Sequence, residues 1–431
     1  MTKRKNSQDT KTETPGRFSR RRLLATAGGA GAAGLAAGAA TGAAASRRDD
    51  GDGTPGAGAD VALTTLGGTA VPFHGRHQPG ITTPVQARGH LAAFDLAPGA
   101  GRREAAELLR RWSALAAELM AGRGPGGEED LAIARDAGPA SLTVTFGFGR
   151  GFFDATGLTA ARPLALDPLP EFSADRLDPE RSEGHLWVQI GADDALVAFN
   201  ALRALQRSAA RDGTAAVRWQ MSGFNRSPGA TARPMTTRNL MGQVDGTNNP
   251  QPSEPDFERR IFVPGDGDPA WMRNGSYLVF RRIRMLLDDW EGRSLADQER
   301  IIGRRKADGA PLTGGGETTP VDLAATGADG RPVIAANAHV RVTAPESNGG
   351  AAMLRRPFSY HDGIRSDGAP DAGLLFLAWQ ADPLTGFVPV QRKLDRGDAL
   401  SPFLRHEASG LFAVPGGAPE GGYVGQELLE G

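Results

Sequence analysis

The chain has 431 residues, 39% hydrophobic and 23% charged, a balance suited to a soluble protein of two domains or one large two-lobed domain. Cysteine is absent, which excludes disulfides, thiolate nucleophiles, iron–sulfur clusters and Cys-ligated haem, so a bound metal must be held by His or carboxylate. Setting aside residues 1–45, with eight Lys/Arg and two acids, leaves 41 basic and 48 acidic residues, formally −7. That charge argues against nucleic acid or an anionic membrane as the main partner.

The first element is a targeting segment. Ser19-Arg20-Arg21-Arg22-Leu23-Leu24 matches the twin-arginine signal pattern, a weakly apolar Ala/Gly stretch follows, and Ala43-Ala44-Ala45 suits a cleavage site. Residues 1–45 are therefore read as a signal peptide. The twin-arginine export machinery becomes an expected partner, and an extracellular, cell-envelope or periplasmic destination is expected. The stretch is too rich in Gly and Ala for a stable membrane anchor. Because that route carries folded proteins, often with a cofactor already inserted, it favours a cofactor enzyme. Residues 46–70, rich in Gly and Asp, read as a flexible linker.

From Val71 the composition is globular. "REAAELLRRWSALAAELM" repeats apolar residues at helical spacing. "SLTVTFGF", "HLWVQIG", "GSYLVFRRIRM", "HVRVTA" and "GLLFLAWQ" read as strands. "LWVQIGADD" resembles "LFLAWQADP", which pairs Gln189 with Gln380, and "HLAAFDL" resembles "SYLVFRR", which pairs Phe94 with Phe280. The similar offsets predict a duplicated α+β half with antiparallel sheets.

Seven histidines supply the candidate ligands. His74 and His77 have zinc-pair spacing without two further nearby ligands, so they read as a loop or the edge of a cofactor pocket. "NAHVRVTAPE" places His339, Arg341 and Thr343 on one face of a predicted strand. His361, in the turn-like "YHDG", is the rival ligand. In "RNLMGQVDGTNNP", Asp245 sits in a loop of Gly, Asn and Thr. "FGFGRGFFD" lacks dinucleotide-fingerprint spacing, "LTGGGET" lacks the phosphate-loop Lys, and no nucleophile-elbow or zinc-protease motif appears.

Taken together, "GQVDG", "FGFGRGFFD", "IIGRRKADGAPLTG", "HVRVTAPE" and "MLRRPFSY" occur in an order that resembles the dye-decolourising peroxidases. "VPFHGRHQPGITTPVQ" and "GGYVGQELL" resemble the exported bacterial branch, which includes proteins of ferrous-iron uptake systems. The resemblance covers nearly the whole chain after Val71. It implies an α+β fold of two ferredoxin-like halves, of the dimeric α+β barrel type, over residues 71–240 and 241–431, with haem b in the C-terminal half. It also implies reduction of hydrogen peroxide and oxidation of dyes, phenols or similar donors. The alternative it leaves open is an iron-acquisition protein working with iron-uptake components, releasing iron from haem or oxidising ferrous iron.

By position, the resemblance assigns His339 as the axial ligand of haem iron, Asp245 as the distal carboxylate and Arg355 as the distal arginine. Gly246, Thr247, Asn248, Arg304, Arg341, Ala344, Pro345 and Glu346 match haem-contacting positions, and Asp398 is the expected partner of His339's second nitrogen. Thr343-Ala344 departs from the more usual Ala-Asn. These residue types suit the chemistry: a carboxylate moves the peroxide proton and a guanidinium offsets the charge on the separating oxygens. Arg356 reads as a structural salt bridge. Because large dyes cannot enter a small pocket, electrons are expected to hop through surface Trp or Tyr.

Overall fold

The structure is a computed structural model that describes residues 67–124, 130–227, 236–267 and 269–431. The expected signal peptide and nearly all of the linker lie outside these residues. Among the described residues, nine strands are paired antiparallel: β1 (Arg88–Leu96), β2 (Thr143–Gly149), β3 (Leu186–Ala192), β4 (Ala215–Phe224), β5 (Ser276–Met285), β6 (Leu354–Arg355), β7 (Phe358–Ile364), β8 (Pro370–Gln380) and β9 (Leu404–Val414).

The N-terminal half runs strand–helix–strand–strand–helix–strand, with order β4-β1-β3-β2. The C-terminal half repeats that order as β9-β5-β8-β7. This is the ferredoxin-like arrangement, made twice. The halves join where Phe148 of β2 pairs with Ala413 of β9 and Phe224 of β4 pairs with Ser359 of β7. With β5 also paired to β8, the sheet closes into an eight-stranded barrel, which removes free edges. The two-residue β6 lies beside β8 through Leu354↔Trp379 and Arg355↔Ala378.

Period-two alternation then sorts the side chains. Leu91, Ala93, Trp187, Trp219, Leu278, Phe280, Leu375, Leu377, Trp379 and Phe412 form one cluster fed by strands of both halves, the barrel interior. Alternate residues face outward to the helices. The helix Arg102–Met120 forms as its apolar spacing predicts, and the Glu104 carboxylate accepts the Gly101 N–H at 3.0 Å to close its first turn. The helix Ala195–Arg211 begins at Asp194, whose carboxylate accepts the N–H groups of Leu196 and Val197.

The duplication is real, but the sequence alignment of the copies is out of phase. Phe94 packs outward against Trp112, whereas Phe280 lies in the barrel interior. Likewise Trp187 and Trp379 both face inward, so Gln189 and Gln380, two positions and one position further on, face opposite ways. Chain order is preserved between the copies while the apparent one-to-one match is a coincidence of residue type.

"HVRVTA" is the second departure. His339–Thr343 is a single helical turn, with the Val342 N–H bonded to the Ala338 carbonyl and the Thr343 hydroxyl to the His339 carbonyl. Pro345 holds Ala344 extended and ends the turn. Three β-branched residues gave it strand character, but the segment pairs with no strand and satisfies its backbone locally.

The outward face of the N-terminal sheet is filled: Trp112 lies 5.0 Å from Phe94 and 5.6 Å from Phe146, ring to ring, and donates its indole N–H to Leu205. Trp112→Ala is expected to lower unfolding free energy by about 3–5 kcal/mol in denaturant titration. The absorbance of any cofactor bound in the other half should be unchanged.

Candidate active site

On the C-terminal half, the corresponding outward face is open. A cavity of about 430 Å³ lies against Arg281, Ile283 and Met285 of β5, Leu374 and Phe376 of β8, and Leu404 and His406 of β9. Its lining residues all fall between Asn239 and His406. The helix Phe387–Gly397 supplies another apolar wall through Phe387, Val390 and Leu394.

His339 opens the short helix and faces this cavity. Its Nδ1 lies 3.1 Å from an Asp398 oxygen. The other Asp398 oxygen accepts both the backbone N–H and the hydroxyl of Ser401, each at 2.9 Å. Burial pushes the Asp398 carboxyl up, but His339 and these hydrogen bonds outweigh it and leave it below its usual range. A carboxylate only accepts, so His339 Nδ1 carries a proton, and in the neutral ring the lone pair is on Nε2.

A second wall carries opposite chemistry. Arg355, in β6, donates to Asp245 at 2.9 Å, and Asn239 donates to the other carboxylate oxygen at 3.2 Å. Asn249 fixes the spacing: its amide donates to the Arg355 carbonyl at 2.7 Å and its oxygen accepts the Arg355 N–H at 3.1 Å. Gly246 has φ +122°, a conformation that a side chain would strain, so the loop can turn there directly after Asp245.

The expected contacts sort as follows. Gly246, Thr247, Asn248, Arg304, Ala344, Pro345 and Glu346 all line the cavity. Arg304 is nearly buried and donates to the Gly309 and Glu317 carbonyls; Thr247 donates to the Glu317 carboxylate at 3.0 Å. Arg341 does not line the cavity. The helical turn swings it away from His339, and it holds the Leu323 and Ile334 carbonyls instead. The rival His361 is an exposed residue of β7. His77 stacks on Phe262 and contacts the Asn274 carbonyl and Glu258, so the His74/His77 loop is neither part of this cavity nor, among the described residues, part of a cluster able to hold a metal. Arg356 is structural but bonds to the Thr83 and Pro84 carbonyls and Gln86 rather than to a carboxylate.

Two site features escaped the sequence. Asn249 carries the bonds that position Arg355, and only its place in "GTNNP" hinted at it. His406 lines the cavity as well, but its Nδ1 accepts from Arg281 at 3.1 Å. Burial, aided by the neighbouring Arg281, pushes its pKa down to about 3, so the ring stays neutral and its proton sits on Nε2. Of the two cavity histidines, only His339 offers a lone pair. The surface aromatics are also corrected: all six Trp and three Tyr are buried, the most exposed being Trp271 at 8%.

Comparisons with known proteins agree on one family. The description "Dyp-type peroxidase, N-terminal" matches residues 78–225 and "Dyp-type peroxidase, C-terminal" matches residues 236–419. The solved structure of ferric DtpA from Streptomyces lividans is 71% identical, with a TM-score of 0.83, covering 86% of this chain and 99% of that one. The dye-decolorizing peroxidase of Thermobifida fusca is 50% identical over 364 residues, 82% of this chain and 84% of its own. A deferrochelatase of Yersinia pestis is 34% identical over 376 residues, 83% and 85% of the respective chains. An α+β barrel of two matching halves, with one cavity that sets a lone-pair histidine and an Asp–Arg pair in its walls, belongs to the Dyp-type peroxidase family.

Proposed function

We propose that the cavity binds haem b, that His339 Nε2 would hold its iron, and that Asp245 and Arg355 carry the peroxide chemistry. The observation that bears most weight is the hydrogen-bond direction at the two cavity histidines, which leaves a lone pair on His339 alone. The apolar walls and the buried Asp398 suit a flat aromatic macrocycle and an imidazole made more basic by its carboxylate. When bound, haem would supply a redox-active iron able to accept two oxidising equivalents from hydrogen peroxide and two electrons from a donor.

The chain's own residues do the rest. Asp245 takes the proton from one peroxide oxygen and delivers it to the other, which leaves as water. Arg355 holds a permanent cation where negative charge develops on the departing oxygen. The reciprocal Asn249 bonds keep that guanidinium in place without using its side-chain donors. Asp398 keeps His339 in one tautomer and one orientation. Since every Trp and Tyr is buried, dyes or phenols at the surface would pass electrons over a gap of protein, whereas small donors could enter the cavity.

The segment Ser19–Leu24 supports export through the twin-arginine machinery, to the cell envelope or beyond. Iron release from haem is the second reading, and it draws on the deferrochelatase likeness. It requires iron-free porphyrin to accumulate during turnover. Intact haem absorbance after many turnovers counts against it.

The testing experiment is haem titration of wild type and His339→Ala. Wild type should develop a Soret band, and the variant should lose it or shift its ligand-sensitive features. Unchanged ligation would remove His339 from the role. Asp245→Asn should slow the peroxide step by about 10²–10⁴-fold and Arg355→Leu by about 10²–10³-fold in stopped-flow, each with haem still bound. Asp398→Asn should keep haem but weaken its binding or lower activity by about 10–100-fold, with a change in the ligand-sensitive bands.

A further inference from the structure

Four arginines line the cavity, each with partners of its own. Arg355 is paired with Asp245, Arg304 with two carbonyls, and the partly exposed Arg260 with Asp256 at 2.7 Å and Glu254 at 3.4 Å. Arg281 differs. It is 1% exposed, on the floor of the cavity, and donates to Asp175, to the Ser409 hydroxyl at 3.1 Å and to His406 Nδ1. Those three bonds use three of its five N–H groups.

His406 adds another donor. With Nδ1 occupied as an acceptor, Nε2 bears the proton, and the hydrogen bond found for this ring among the described residues is the one at Nδ1. A buried cation with N–H groups to spare, beside a neutral imidazole with its N–H at Nε2, makes a corner of donors within an otherwise apolar floor. The chemistry that satisfies several donors and a positive charge at once is a carboxylate. Asp175 belongs to the N-terminal half, and the loop that carries it runs along β9, with the Arg176 N–H on the His406 carbonyl and the Asp178 N–H on the Glu407 carbonyl. The first half thus reaches across to set a residue of the second half's cavity.

Resting on the haem reading above, we propose that Arg281 and His406 form a carboxylate-binding corner that takes one propionate of the cofactor, with Asp175 positioning the guanidinium. Such a corner would give the cofactor a second point of attachment beside His339.

The test uses apoprotein titrated with haem and, separately, with haem dimethyl ester, whose propionates are blocked. Binding is read from the Soret band and folding from circular dichroism. Wild type should prefer haem. His406→Phe should weaken haem binding by about tenfold and leave ester binding unchanged, while His406→Gln, which keeps a donor, restores the preference. Equal weakening with both ligands, or no weakening, overturns the corner. Should His406→Phe fail to fold, Asp175→Asn takes its place, with loss expected for haem only and equal loss again overturning the idea. A wild type without a Soret band would instead sink the haem reading, whereas haem binding with no preference over the ester would sink this inference alone.

Discussion

Strand β5 must serve two surfaces at once, and that constraint organises the molecule. It is paired along most of its length on both sides, to β8 and β9, so its side chains cannot choose a face freely. Leu278 and Phe280 go into the barrel; Arg281, Ile283 and Met285 go to the cavity. A one-residue slip would put Phe280 in the cavity floor and Arg281 among the aromatic rings of the interior. Neither surface could survive that exchange, since a charge among Trp187, Trp379 and Phe412 would find no partner.

Packing between sheet and helix explains why, among the described residues, the outer-face cavity opens in the second half and is filled in the first. Both halves have the same strand order and each packs a helix on its outer face. In the first half Trp112, Phe94 and Phe146 fill the space between sheet and helix. In the second, the helix Phe387–Gly397 stands off the sheet, and the long connection from β5 to β6 brings His339, Arg304 and their neighbours into the gap. Gly303, at φ +93°, ends the helix Leu295–Ile302 where a Cβ would come within 2.4 Å of Val340. That close approach seats the His339 turn against the rest of the half.

Much of this was legible in the sequence, for identifiable reasons. Short runs of apolar, β-branched and aromatic residues mark four of the five expected strands, because those strands are buried on both faces. Helical spacing marks Arg102–Met120 because that helix buries one stripe. His339 with Asp398, and Asp245 with Arg355, were singled out through the order of motifs that carries the family resemblance, and the structure brings each pair together in the cavity wall. What failed depends on long-range geometry. "HVRVTA" has strand residues and no strand to pair with, so local hydrogen bonds won. The shared face expected for His339 and Arg341 went with it, because residues two apart share a face on a strand but not on a helix. The matched glutamines failed because residue identity carries no record of which face a strand turns inward. Exposure of Trp and Tyr is likewise a property of packing, and here all of it is used for cores.

His406 was invisible for a related reason: its meaning lies in a neighbour 125 positions away. An imidazole has one proton to place when neutral, and whatever touches the first nitrogen decides the state of the second. Asp398 accepts at His339, so that ring presents a lone pair; Arg281 donates at His406, so that ring presents an N–H. Two identical side chains in one cavity thereby become a base and a donor. Which ring presents a lone pair and which an N–H is then a matter of which partner, carboxylate or guanidinium, the barrel brings to the far nitrogen, and both partners are buried too deeply to be exchanged without rebuilding the wall that holds them.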